Sequence, residues 1–268
     1  MPDMPAPVSP PDDIVQALER IRARFDPELP RLLYFTSATS TNDVAARAAA
    51  LGAPDGTAVV AELQTAGRGR LGRAWYSPPG AGLYVSVVLR ETGSGVPPWV
   101  SLVAGVALAE AVRACTHLPV DIKWPNDLVV GRRKLAGILA EASGGPTIEY
   151  VVLGFGINLR SAAYPPDIAD RATSIEAELG RAVDRGVLLA ECLASLLAWN
   201  NAVRAGQGAA VLDRWRVLSP SCRGNRVEWR TATGIASGTT DGIGEDGALL
   251  VRTDDRVERI VAGEVRWI

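Results

Sequence analysis

The chain has 268 residues, 28 Lys and Arg against 30 Asp and Glu, and a formal net charge of −2. That length suits one large domain plus a small one, and the balanced charge lacks the basic excess of a nucleic-acid binder. Cys115, Cys192 and Cys222 form no CxxC pair, which argues for a reducing compartment and against a disulfide frame or zinc site. The single histidine, His117, leaves Lys, Arg, carboxylates and backbone donors to carry any chemistry.

Residues 1–11 are rich in Pro and Asp and lack the basic start and apolar core of a signal peptide; they read as a flexible tail. Asp12 and Asp13 are placed to cap a helix running to about Phe25, with Ile14, Leu18 and Ile21 on one face. One helix before Leu32 leaves no room for a winged helix-turn-helix, which needs about three. Ser40 or Thr41 is expected to cap a helix that Gly52 ends, and residues 57–63 and 82–90 read as strands.

Residues 97–116 should be helical, with Leu102, Val103, Val106 and Ala109 on one buried face. Its apolar run, from about Trp99 to Ala109, is too short to cross a bilayer, so a cytoplasmic protein without membrane partners is expected. His117 is a turn position beside Leu118 and Pro119. Strand-like runs follow at 120–123, 128–130, 135–141 and 149–154. A helix bearing Leu189, Cys192, Leu193, Leu196 and Trp199 should cover the sheet. Beyond Pro220, short strands at 227–229, 234–237, 248–251 and 259–261, with a turn at Asp246 and Gly247, predict a small β-barrel. The pattern is α+β rather than doubly wound, divided into a tail and single helix at 1–30, a large domain at 31–220 and the small β domain at 221–268.

The most informative segment is Gln64-Thr65-Ala66-Gly67-Arg68-Gly69-Arg70-Leu71-Gly72-Arg73-Ala74-Trp75. Glycines let backbone amides approach an anion, and arginines supply forked donors for phosphate or carboxylate. The spacing fits neither a P-loop nor a dinucleotide-binding fingerprint.

Three further motifs follow in order: Lys123-Trp124-Pro125-Asn126-Asp127, Lys134-Leu135-Ala136-Gly137 continuing to Glu141, and Gly154-Phe155-Gly156-Ile157-Asn158. With Ser40-Thr41-Asn42, this ordered set resembles the biotin protein ligases from about Phe35 onward. Asp246-Gly247-Ala248 and Gly263-Glu264-Val265 extend the resemblance to the C-terminal end, in a short form lacking the N-terminal DNA-binding domain.

The resemblance implies a mixed central β-sheet with helices, of the class II aminoacyl-tRNA synthetase and biotin synthetase type, plus a small C-terminal SH3-like β-barrel. It implies an enzyme that makes biotinyl-5′-AMP from biotin and ATP with Mg²⁺, then transfers biotin to a lysine of the carrier domain of acetyl-CoA carboxylase or a related carboxylase. Lys134, Arg68 and Arg70 would be catalytic. Ser40, Thr41, Asn42, Gln64, Gly67, Arg68, Lys134, Gly137 and Gly156 would bind biotin, with Leu135, Ile138 and Gly154 helping to wall a slot. Arg70, Arg73, Trp75, Lys123, Asn126 and Asn158 would bind the nucleotide, with Trp75 stacking on adenine, and Asp127 would hold Mg²⁺. Trp124 and Pro125 read as structural. A homodimer formed by extending the central sheet is an expectation taken from the family. Rival readings are a lipoate protein ligase of the same architecture and a non-catalytic biotin sensor.

Overall fold

The computed structural model describes residues 6–25, 28–90, 100–143, 148–162, 164–232 and 234–268. The large sheet has seven strands. They are β1 (Leu32–Phe35), β2 (Ala58–Ala61), β3 (Gly82–Arg90), β4 (Val120–Lys123), β5 (Asp127–Val130), β6 (Arg133–Ala142) and β7 (Tyr150–Asn158), in the order β1-β2-β3-β7-β6-β5-β4. β1 runs parallel to β2 and every other pair is antiparallel, giving the mixed sheet expected. β3 and β7 lie centrally and are apolar on both faces, as strands covered from two sides must be.

On one face lies α3 (Val100–Thr116), backed by α1 (Asp12–Arg20), α5 (Arg185–Arg204) and α6 (Gly208–Leu218). α3 is apolar almost all round because the sheet and α5 enclose it. By length and composition α5 could cross a membrane, with 20 residues and mean hydropathy 1.4. It packs along α3 and α1 rather than on the sheet, so its apolar sides belong to the core. The other face is covered by α2 (Thr41–Ala50) only over β2, β3 and β7. A short α4 (Ile175–Leu179) follows the sheet, capped by Ser174.

A second, antiparallel sheet joins β8 (Arg223–Thr231), β9 (Gly234–Ile243), β10 (Leu249–Arg252), β11 (Val257–Ile260) and β12 (Val265–Trp267) in the order β11-β10-β9-β8-β12. The Trp124 indole N–H donates to the Gly247 carbonyl at 3.0 Å and joins the two sheets, which supports a structural role for that tryptophan.

Several local expectations need correction. Residues 6–11 are no loose tail: the Val8 N–H donates to Tyr34 O at 2.8 Å, and Pro11 stands at the helix N-cap. Residues 1–5 lie outside the described set. Asp12 and Asp13 occupy the first turn of α1 instead of capping it, and the helix stops at Arg20, followed by a 3₁₀ turn at Arg22–Arg24. Ser40 sits at the N-cap of α2, yet its own side chain makes no capping hydrogen bond. α3 is described from Val100, and residues 97–99 lie outside the described set. His117 is a left-handed turn residue, φ 61°, as read.

Candidate active site

Strand register assembles the site. Phe35, Ala61, Tyr84, Gly156, Gly137, Asp127 and Lys123 stand opposite one another on β1, β2, β3, β7, β6, β5 and β4, so all project from the face that carries α2. Two adjacent glycines in this row open a trough, and the Trp75 indole lies in it. A Cβ added at Gly156 would stand 2.3 Å from Trp75 Nε1, and one at Gly137 3.0 Å from Trp75 Cζ3. The indole nitrogen is buried without a hydrogen-bond partner. Lys134 Nζ lies 5.3 Å from the Trp75 ring centroid and 2.6 Å from Asp127 Oδ1.

The next row places Ser86 of β3 beside Gly154 of β7. The missing side chain of Gly154 admits Asn42, whose Oδ1 would be 2.0 Å from an added Cβ. A neutral polar cluster forms there. Gln64 Oε1 accepts the Thr41 N–H at 2.9 Å, with Thr41 Oγ1 at 3.2 Å from the same oxygen. Gln64 Nε2 donates to Ser77 Oγ at 2.9 Å, and Asn42 Nδ2 to Glu141 Oε2 at 2.6 Å. Ser40 is buried beside them.

Residues 67–75 form a hairpin whose rungs are Trp75 N–H to Gly67 O, 2.8 Å, and Gly69 N–H to Arg73 O, 2.7 Å. Gly67 is obligatory: an added Cβ would fall 2.6 Å from Trp75 O. The three arginines reach different parts of the molecule. Arg68 pairs with Asp43 of α2 at 2.5 Å and Glu141 of β6 at 3.1 Å. Arg70 donates to Asn126 Oδ1 at 3.3 Å, and Arg73 to Glu264 Oε1 at 2.9 Å. Burial lowers the pKa of Arg70. Burial also lowers that of Lys123, whose Nζ lies 4.9 Å over the Trp267 ring. Arg73 holds the Glu264 carboxyl below its ordinary range.

The structure therefore gathers Thr41, Asn42, Gln64 and Arg68 at one end of the trough. Trp75, Gly137, Gly156, Lys134, Asp127, Asn126 and Arg70 lie along it, and Lys123 and Arg73 lie toward the second sheet. Three expected slot residues fall elsewhere. Leu135 and Ile138 are core residues, because their side chains leave the opposite face of β6, and Gly154 is filled by Asn42. Asn158 is buried and spends its Nδ2 on Thr173 O at 2.9 Å. Trp75 lies flat against the glycines, where the slot for an acyl chain was expected. Ser77, Ser86 and Trp267 went unnoticed in the sequence, and Glu141 and Glu264 were quoted within motifs without a role.

Among the described residues no three His, Cys, Asp or Glu side chains cluster as a metal site. Asp127 presents one carboxylate whose Oδ1 is buried and not hydrogen bonded, although Lys134 stands against it. One carboxylate completed by phosphate and water is an ordinary Mg²⁺ environment, so the donor set fits.

Comparison with known proteins points the same way. Residues 32–158 match the Biotin/lipoate A/B protein ligase family and residues 224–266 the Biotin protein ligase C terminal domain. The Bifunctional ligase/repressor BirA of Bacillus spizizenii is 33% identical over 87% of this chain and 73% of its own. The Biotin--[acetyl-CoA-carboxylase] ligase of Mycobacterium tuberculosis is 37% identical over 84% of this chain and 85% of its own. The biotin protein ligase from Aquifex aeolicus, solved in complex with biotin and ATP, superposes with a TM-score of 0.78 at 29% identity, covering 89% of this chain and 98% of that one. On the strength of these likenesses, which span both sheets, the chain belongs to the biotin protein ligase family.

Proposed function

We propose that the protein activates biotin with ATP as biotinyl-5′-adenylate and passes the biotinyl group to a lysine of a biotin carboxyl carrier domain, that of acetyl-CoA carboxylase or a related carboxylase. The observation that carries this reading is the glycine-floored trough, closed at one end by neutral donors and acceptors and flanked by Lys134 and the arginine hairpin. A neutral ureido ring suits the Thr41, Asn42 and Gln64 end, and an apolar ring and chain suit the space between the two glycines. The Trp75 indole occupies that space and has to leave it for the acyl chain to enter. Its orphaned Nε1 makes the departure inexpensive, and an adenine base is the natural new partner for the ring.

Carboxylate and α-phosphate repel, by about 4 kcal/mol for unit charges roughly 4 Å apart at an effective dielectric near 20. Arg68, Arg70, Lys123 and Lys134 supply fixed positive charge against that repulsion. A carboxylate oxygen attacks the α-phosphorus and pyrophosphate leaves. The carrier amine then attacks the mixed anhydride and AMP leaves, with Lys134 placed to hold the developing oxyanion. Asp127 would hold Mg²⁺, which adds charge neutralisation at the phosphates. This side-chain set needs no covalent enzyme intermediate. The three free cysteines support a cytoplasmic site of action, and the hydrogen bonds already made along the edges of the large sheet speak against a sheet-extended homodimer.

Incubation with biotin, Mg·ATP and a carrier domain tests the proposal. The carrier should gain the mass of one biotinyl group, and pyrophosphate should appear, which a non-catalytic sensor does not release. Calorimetric titration of biotin against lipoate separates the ligase specificities. A preference for lipoate would overturn the substrate assignment.

A further inference from the structure

Strict alternation along β6 would turn Lys134 away from the trough. Gly137 faces the Trp75 indole, so Leu135 should share that face and Lys134 should join Ala136 and Ile138 in the core. The opposite is found, because the register against β5 slips: Val129 pairs with Lys134 and Leu128 with Ala136, which leaves one residue extra on β6. Leu135 and Ala136, consecutive in the chain, are both 0% exposed, and Lys134 emerges beside Asp127 and Trp75. A bulge therefore aims the lysine.

The bulge also lies past the reach of β7, whose pairing with β6 begins at Ala136 and Ile157. Residues 171–173 take over there. The Lys134 N–H donates to Arg171 O at 2.6 Å, the Thr173 N–H donates to Lys134 O at 2.9 Å, and Lys134 and Ala172 form a parallel bridge. This segment belongs to no strand of the sheet, so side chains have to keep it in place. Asn158 Nδ2 holds the Thr173 carbonyl at 2.9 Å. The Thr173 hydroxyl donates to Glu178 Oε1, the same oxygen that Arg133 reaches at 2.8 Å. Glu178 of α4 thus joins the residue before Lys134 to the residue that grips the Lys134 carbonyl, and its side chain is only 13% exposed. We propose that Glu178 is a positioning residue for Lys134, fixing the bulge that turns the ammonium onto the trough. The proposal rests on the role given to Lys134 in the functional reading above. A charged acceptor suits the task, because hydrogen bonds to a carboxylate are stronger than those between neutral groups.

The test uses the whole protein and follows biotin-dependent pyrophosphate release with Mg·ATP. Glu178→Ala should lower turnover by about tenfold or more, as a displaced catalytic group does. The KM for biotin should stay within about threefold, since Glu178 touches none of the groups at the neutral end of the trough. Glu178→Gln keeps an acceptor for Thr173 and Arg133 and should recover most of the loss. The deciding measurement is a double-mutant cycle. In a Lys134→Ala background, Glu178→Ala should cost less than about twofold, because no ammonium is left to misplace. A merely structural role would repeat its full loss in that background, and this result, or unchanged turnover in Glu178→Ala alone, overturns the proposal. If Glu178→Ala does not fold, Thr173→Val removes the hydroxyl alone and carries the same cycle. Wild type that releases no pyrophosphate in response to biotin, or Lys134→Ala with wild-type turnover, would instead remove the functional reading beneath it.

Discussion

Lys134 shows how much one side chain is asked to do. Its ammonium has Asp127 on one side at 2.6 Å and the face of Trp75 on another at 5.3 Å, so the charge is oriented before any ligand arrives, as electrostatic catalysis requires. The side chain is 37% exposed, and an ion pair so open to solvent contributes about 1 kcal/mol or less to stability. Lys134→Ala should therefore lower pyrophosphate release by roughly 10²–10³-fold. The thermal midpoint should move by only a few degrees, about 4 °C at most. A variant that keeps wild-type turnover would remove Lys134 from the chemistry. At this scale the sequence was legible where chemistry is local. Glycine and arginine in alternation marked out one hairpin, and the lysine of a later motif lies beside its tryptophan. Ser86 and Glu141 were illegible because their meaning lies in pairing across strands: Ser86 matters only because Gly154 is its neighbour and Asn42 fills the gap.

Among the elements, the 67–75 hairpin is the one whose anchors define its behaviour. Each arginine is tied to a different part of the molecule, and Leu71 at the tip is 71% exposed with φ 57°, a left-handed conformation that costs a branched residue about 1–2 kcal/mol. Such a tip is held by its anchors rather than by burial. Arg70→Gly removes the central one, the contact to Asn126, and should release biotinyl-adenylate faster and label bystander lysines; unchanged adenylate dissociation would contradict a role for the hairpin as a cover. The outer anchor is pH-dependent. The Glu264 carboxyl is held below its ordinary range by Arg73, so in the intervening window the unfolded chain binds more protons than the folded one, and stability rises with pH. The contribution is complete above the ordinary carboxylate range and is lost as pH falls through the lowered value. Wild type should melt above Glu264→Gln near neutrality, and the difference should vanish on acidification. A gap independent of pH would show that the pair is inert. Strand and helix interiors were read well, since β3 and β4 match the expected 82–90 and 120–123. β7 was cut short at 154 because Gly154 and Gly156 mimic a breaker, when Gly156 floors the trough under Trp75 and Gly154 admits Asn42. α6 was hidden by the Gly206-Gln207-Gly208 run before it, and β12 by its three-residue length.

At the scale of the molecule, the large sheet decides whether one chain or two does the work. An open sheet edge offers unpaired backbone groups to another chain. Both edges are occupied here from within. On β1 the Tyr34 carbonyl accepts the Val8 N–H at 2.8 Å. On β4, Arg113 Nε donates to Val120 O at 2.8 Å and Ser219 Oγ to Ile122 O at 2.7 Å. Nothing in the amino-acid pattern of residues 1–11 hinted at this, because a single bridge beside a proline leaves no periodic signal. The covered edges predict that the chain sediments as a monomer at every concentration where it remains dissolved. Removing residues 1–10 uncovers Tyr34 while leaving α1 its own hydrogen bonds and its packing on α5. The shortened chain should then associate as concentration rises, as an uncovered strand edge does. A dimer of the full chain, or a shortened chain that stays monomeric as concentration rises, would show that the Val8 bridge guards nothing.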